Sequence, residues 1–201
     1  MGTLTMKFGG STVGTTTALS QVVSIILQEY ERQDRLIVVA SALEGVTDAL
    51  IEAAHLAGLS NRRGYRRIVA TVRTRHLSLV EKLPLNANER TSLNADIDNL
   101  LFDMLDICQS MSNTATEETV PQQTIDAVIG VGEQLAARII AALIRTKGLR
   151  STHIDATEII ITDDQFGNAR PLIDETRSRL AAYVQPMLER DIVPVITGFI
   201  G

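Results

Sequence analysis

The chain has 201 residues, 45% of them apolar and 21% charged, with a single cysteine and no tryptophan. Those figures exclude a disordered, collagen-like or disulfide-stapled protein, and the length suffices to bury about 70% of the unfolded surface. The net charge of −5 and an aromatic content of 3% argue against a polyanion-neutralising surface or a base-stacking platform, so no nucleic-acid partner is expected.

In chain order, Met1-Gly2 has the start of a myristoylation signal, but Met6 stands where Ser or Thr is needed. No basic flank precedes an apolar core, so no signal peptide is expected. Residues 4–8 predict a short strand that ends in Gly9-Gly10. From Thr16, residues Leu19, Val22, Val23, Ile26 and Leu27 fall on one helical face. Residues 36–40 form a continuous apolar run of the kind seen in parallel strands covered on both sides. A helix over 46–57 follows. Strand, helix, strand, helix at these lengths predicts an α/β core.

Between about residues 60 and 120 the pattern is helical only. Ile68, Val69, Val72, Leu79, Val80 and Leu83 mark one helix, ending near Pro84. Leu93, Ile97, Leu100, Leu101, Met104, Leu105, Cys108 and Met111 mark a second. These predict a helical hairpin inserted into the core, with residues 114–123 as its polar exit loop. Arg62, Arg63, Arg66, Arg67, Arg73 and Arg75 read as the wet side of the first helix, pairing with acids elsewhere. Cys108 lies on an apolar stripe and reads as core. It has no internal disulfide partner, which makes a reducing cytoplasm the default location.

The alternation then resumes. A helix is expected over 125–146, strands over 151–155 and 158–162, a helix over 174–190 and a strand over 192–197. Within the 174–190 helix, Leu180, Val184, Met187 and Leu188 are expected on the buried side. No apolar run reaches the ~18 residues of a membrane span. The best, residues 135–144, is short and carries Arg138. No membrane partner is therefore expected. The last strand is expected to leave an edge exposed after Thr197, which a homodimer would cover. His55, His76 and His153 show no metal-ligand spacing.

Lys7-Phe8-Gly9-Gly10-Ser11 sits where a strand ends and a helix begins. Two glycines let backbone amides approach an anion, and Lys7 adds a full positive charge. The arrangement suits phosphate, although a plain tight turn with a solvated lysine gives the same pattern. The spacing is not that of a Walker A loop. Glu133 follows Gly130 and Gly132. It reads either as an anion for a substrate ammonium or as a first-turn glutamate favoured by the helix dipole. Thr47-Asp48 reads as a helix cap or a ligand contact.

Met6-Lys7-Phe8-Gly9-Gly10-Ser11-Thr12-Val13-Gly14 resembles the opening signature of the aspartate kinases, within the amino-acid kinase superfamily. In the same order, residues 39–48, 129–135, 166–170 and 195–201 resemble further segments of that family. The resemblance implies a three-layer α/β/α sandwich with a mostly parallel sheet. It also implies transfer of the ATP γ-phosphoryl group to the β-carboxylate of L-aspartate, a step toward lysine, threonine and methionine. By resemblance Lys7 is catalytic, and Lys7, Gly9, Gly10 and Ser11 line the phosphate path. Ser41, Ala42, Thr47, Glu133 and Phe166 contact the substrate, and Mg2+ enters bound to the ATP phosphates. Asn168 and Arg170 are expected to make structural hydrogen bonds outside the site.

The family's Gly-Arg-Gly-Gly-Ser-Asp segment is expected after Gly201, with the adenine-binding half and regulatory domains. The 201-residue chain is therefore read as an incomplete catalytic domain, inactive on its own. The alternatives are another carboxylate-phosphorylating kinase, acting on glutamate or acetylglutamate, and a non-catalytic self-associating module.

Overall fold

The structure, a computed structural model, describes residues 2–114 and 121–198. Four parallel strands form one sheet in the order β1-β2-β4-β3, with β1 at Thr3–Phe8, β2 at Arg35–Ala40, β3 at Arg150–Ile154 and β4 at Ile192–Thr197. Eight helices accompany them among the described residues. They are α1 (Gly10–Val13), α2 (Thr16–Tyr30), α3 (Val46–Gly58), α4 (Arg62–Glu81), α5 (Ala87–Thr114), α6 (Gln122–Thr146), α7 (Ile173–Tyr183) and α8 (Gln185–Leu188).

Local chemistry explains where the helices begin. The Thr15 hydroxyl accepts from the Ala18 amide at 3.1 Å and caps α2, and the Asn61 carboxamide accepts from the Gly64 amide at 2.9 Å and caps α4. Gly45 precedes α3 in the left-handed region, at φ 73°. A residue with a Cβ is strained there. The α3 cap is thus a backbone turn, with no side chain capping it, and Thr47 sits inside the helix rather than at its cap.

The sheet is covered unequally. Leu36, Val38, Ala40, Val193 and Val195 pack into one large core with α2, α3 and α6. The α4 and α5 helices extend that core outward, α4 against α3 and α5 against α6. On the opposite face, Ile154, Ala156, Ile159, Val184, Leu188 and Ile196 form a small separate cluster under α8. Alternation along β4 sends Val195 to one core and Ile196 to the other, as a strand buried on both faces requires.

Five expectations need correction. Residues 158–162 do not form a strand. The Asp155 carboxylate accepts from the Thr157 amide and starts a 3-10 turn, Ala156–Glu158, and only Thr162 pairs, in an antiparallel bridge with Pro171. The run Ile159-Ile160-Ile161 imitates a strand because Ile159 is buried in the smaller core. The helix over 174–190 is two helices. Pro186 has no N–H to continue the ladder, so the chain re-forms as the short α8. Of the residues expected on its buried side, Val184 and Leu188 are buried, while Leu180 and Met187 are half-buried against the smaller cluster.

β4 is not an edge strand: it pairs with β2 through Val38↔Val195 and with β3 through Ile154↔Ile196. The edges among the described residues are β1 and β3, so the argument for a homodimer through β4 falls. Finally, α6 is by length and composition apolar enough to cross a membrane, although most of that segment is buried inside the fold. Its apolar circumference reflects a central helix touched by the sheet, α2, α3 and α5. The expected exit loop over 114–123 lies largely outside the described residues.

Candidate functional site

The C-terminal ends of β1 and β2 carry two interlocked loops. The Ser41 amide donates to Phe8 O at 3.0 Å and the Glu44 amide donates to Gly10 O at 3.2 Å. A Cβ on Gly10 would lie 2.8 Å from Ala42 O and 3.3 Å from Glu44 N, so only glycine fits that contact. Gly9 is the extended residue before α1, and its carbonyl accepts from the Thr12 amide and hydroxyl. Lys7 and Ser11 are exposed beside this turn. Arg75 of α4 braces it from behind by donating to Glu44 O at 2.6 Å.

Glu133 approaches the same loops from α6. The side chain is 5% exposed, and the Ala42 amide donates to its Oε1 at 3.2 Å. Its Oε2 is buried without a hydrogen-bond partner. Burial pushes the carboxyl above its ordinary range, the hydrogen bond from Ala42 opposes that, and the positive charge of Lys7 opposes it further. Glu133 lies in the interior of α6, three turns from its start, so the dipole reading fails. Gly132 makes room here: a Cβ on it would stand 2.8 Å from Ala42 Cβ and 3.3 Å from Leu50 Cδ1.

The structure thus brings Lys7, Gly9, Gly10, Ser41, Ala42 and Glu133 to one corner. The Ala42 amide is occupied within the chain by Glu133. Thr47 is half-buried in the first turn of α3.

Phe166 lies elsewhere. It is 49% exposed on the loop 163–170 and lines a cleft of about 200 Å³ with Asp126, Gly130, Gln134, Asp155 and Thr197. Sequence reading missed the polar network that shapes this cleft. Gln134 donates to Asp155 Oδ2 at 2.5 Å, and the Ala156 amide donates to Thr197 Oγ1 at 2.8 Å. The available signal was the position of Asp155 and Thr197 at strand ends, where open α/β sheets bind ligands. The backbone of Arg170 exchanges hydrogen bonds with Asp163, and the Asn168 amide donates to Gln165 O, so both residues serve the loop itself.

The basic cluster on α4 is a solvated face with specific partners. Arg73 makes a bidentate pair with Asp98 at 2.7 and 2.9 Å, while Arg62 and Arg66 donate to Asn113 and Gln109. Cys108 is buried and its thiol is pushed up to about 11 by desolvation, which leaves it protonated and inert. Among the described residues no group of three or more His, Cys, Asp or Glu side chains is placed to hold a metal ion.

The sequence model of the amino acid kinase family matches residues 3–201. The chain belongs to the amino acid kinase family. Among curated members it is 29% identical to aspartokinase 1, chloroplastic, of Arabidopsis thaliana, over 99% of this chain and 33% of that one. It is 28% identical to the aspartokinase of Saccharomyces cerevisiae, over 97% of this chain and 38% of that one. The chain therefore spans between a third and two fifths of the length of these relatives. Its fold matches E. coli aspartokinase III, solved with lysine and aspartate, at a TM-score of 0.82 and 22% identity, over 98% of this chain and 41% of that one. The same enzyme solved with aspartate and ADP matches at a TM-score of 0.80.

Proposed function

We propose that this chain forms the substrate- and phosphate-facing part of an aspartate kinase site. The observation that carries the reading is Glu133. A carboxylate 95% buried, with one oxygen unpartnered, beside a lysine and a glycine turn at strand ends, is costly unless a ligand completes it. An amino-acid ammonium supplies the missing donor and charge. The backbone at Gly9, Gly10 and Ser11 and the hydroxyls of Ser11 and Ser41, together with Lys7, complement the anionic parts of the substrates.

The chemistry then needs little from the protein beyond placement. The β-carboxylate of L-aspartate is ionised at neutral pH, with a pKa near ~4, so no general base is required. One carboxylate oxygen bonds to the γ-phosphorus of ATP. The bond from that phosphorus to the bridging oxygen breaks, and ADP leaves with the electron pair. Lys7 offsets charge on the transferring group, while Glu133 holds the substrate ammonium. The phosphate-facing groups at Lys7, Gly9, Gly10 and Ser11 are N–H and O–H donors and an ammonium, which fit phosphate oxygens, while the one carboxylate of the corner, Glu133, is assigned to the substrate ammonium. Mg2+ would therefore arrive on the ATP phosphates and supply further charge neutralisation there. In this reading Phe166 covers the neighbouring cleft lined by Gly130 and Gln134, which adjoins Glu133 along α6. A homodimer, if formed, would use the β1 or β3 edge or a helical face.

Calorimetric titration of L-aspartate and L-glutamate into the chain tests the reading. L-Aspartate is expected to bind and L-glutamate to bind more weakly. Glu133→Gln should abolish aspartate binding by leaving the ammonium unpaired, at a cost of ~2–4 kcal/mol. Binding of aspartate with undiminished affinity by Glu133→Gln would sink the assignment. No turnover is expected from the 201-residue chain alone in a coupled assay with ATP and aspartate, because phosphoryl transfer needs clamping from several sides.

A further inference from the structure

We propose that Asp126 is a positioning residue that latches the loop 163–170, and Phe166 with it, over the cleft. The loop is closed upon itself. Asp163 Oδ1 accepts from the amides of Gln165 at 3.3 Å and Arg170 at 3.0 Å, and the Asp163 amide donates to Arg170 O at 3.0 Å. Its internal shape is thus set locally. Its placement on the rest of the fold is a separate matter, because residues 164–168 are all exposed and burial does not hold them.

Two contacts to the start of α6 make that placement. The Gly167 amide donates to Asp126 Oδ2 at 3.1 Å. The Gln122 side chain packs beneath Gly167, where a Cβ would come within 3.0 Å of Gln122 Cγ, and Gly167 itself is left-handed at φ 78°. The second carboxylate oxygen of Asp126 is itself held, accepting from Gln122 Nε2 at 2.9 Å. The carboxylate therefore has a fixed orientation before it receives the loop.

The helix geometry links this latch to the site. Asp126, Gly130 and Gln134 recur at i, i+4 and i+8, on one stripe of α6, and all three line the cleft with Phe166 and Thr197. Gly130 leaves open space there, with no atom within 4 Å of where its Cβ would be. The helix that buries Glu133 therefore also sets the height of Phe166 above the cleft. A charged acceptor makes this one amide hydrogen bond stronger than a neutral pair would.

The chain contains no tryptophan, so Phe166→Trp installs a single fluorescent reporter at the loop tip. Adding Asp126→Ala should raise its acrylamide quenching about twofold, since a released tip exposes the half that is now covered. The melting temperature should move by no more than ~1 °C, because the loop buries little. Asp126→Asn, which keeps an oxygen acceptor, should stay close to the parent. Unchanged quenching in Asp126→Ala overturns the latch. A rise accompanied by a large fall in melting temperature overturns it too, because the cause is then general unfolding.

The effect on ligand rests on the aspartate reading given above, and the same reporter separates the two. L-Aspartate should shift the emission of the Phe166→Trp parent, with affinity about tenfold weaker once Asp126 is alanine. No response in the parent counts against the aspartate reading, while the latch is still judged by quenching. Equal responses in both backgrounds overturn the latch's role in positioning.

Discussion

Two loops face the same end of the sheet and are built in opposite ways. The corner formed by Gly10, Ala42 and Gly45 is tied to its surroundings by the Glu44 amide on Gly10 O, the Ala42 amide on Glu133 of α6 and Arg75 of α4 on Glu44 O. The loop 163–170 is shaped by its own hydrogen bonds and tied to α6 through Asp126 and Gln122. The difference follows from burial. The first loop contributes Ala42 and Leu43 to the large cluster with Val46 and Leu50, whereas residues 163–170 contribute to neither buried cluster. In the proposed phosphate-facing role the first loop benefits from rigidity, because preorganised donors need no rearrangement when charge develops. If, as proposed, the loop 163–170 covers substrate, it must open and close, and low burial permits it.

The sharpest way to break the contrast is Gly10→Ala. The new methyl would meet the Ala42 carbonyl at 2.8 Å, and backbone has little freedom to retreat in a packed corner. A loss of ~2–3 kcal/mol is expected. That corresponds to a fall in melting temperature of about 5–10 °C in a chain of this size. A melt within 1 °C of the parent would show that the corner is as pliable as the loop.

Glu133→Gln sharpens the comparison from the other direction. Burial raises the folded-state pKa of Glu133 above its unfolded value. Stability from such a group is fully present below the unfolded pKa and is lost as pH rises through the folded one. The ionised, ligand-free carboxylate therefore destabilises the fold at neutral pH. Glu133→Gln is expected to be more stable than the parent at pH 7, and the advantage should shrink as pH falls toward the ordinary carboxylate range. Scanning calorimetry across that range decides it. A neutral-pH destabilisation would mean that the carboxylate is satisfied by the chain itself.

Phe166→Ala gives the smallest effect. The ring is half exposed, so truncation should cost less than ~0.5 kcal/mol while weakening aspartate binding. Chemical denaturation measures the first quantity and titration the second. A stability loss comparable to that of Gly10→Ala would remove the distinction between the two loops.

Much of this protein was legible from its residues alone. Local and periodic signals placed β1, β2, α2 to α6 and β4, because apolar spacing reports which face of each element must leave water. The order of the glycine motifs pointed to the family, which the family model over residues 3–201 shows. Spacing did not show that Glu133 is buried with a free oxygen, since that depends on α6 crossing beneath the β2 loop 91 residues away. Nor did it show that β4 enters the middle of the sheet, because strand order is set by which faces α6 and α8 can cover together. The same limit explains the false strand at 158–162, where buried Ile159 and half-buried Ile160 pack into the small core after a turn. Composition and pattern determined which segments are buried and which carry polar chemistry. Only tertiary packing decided which of those polar groups meet, because a buried charge is defined by neighbours that are distant in the chain.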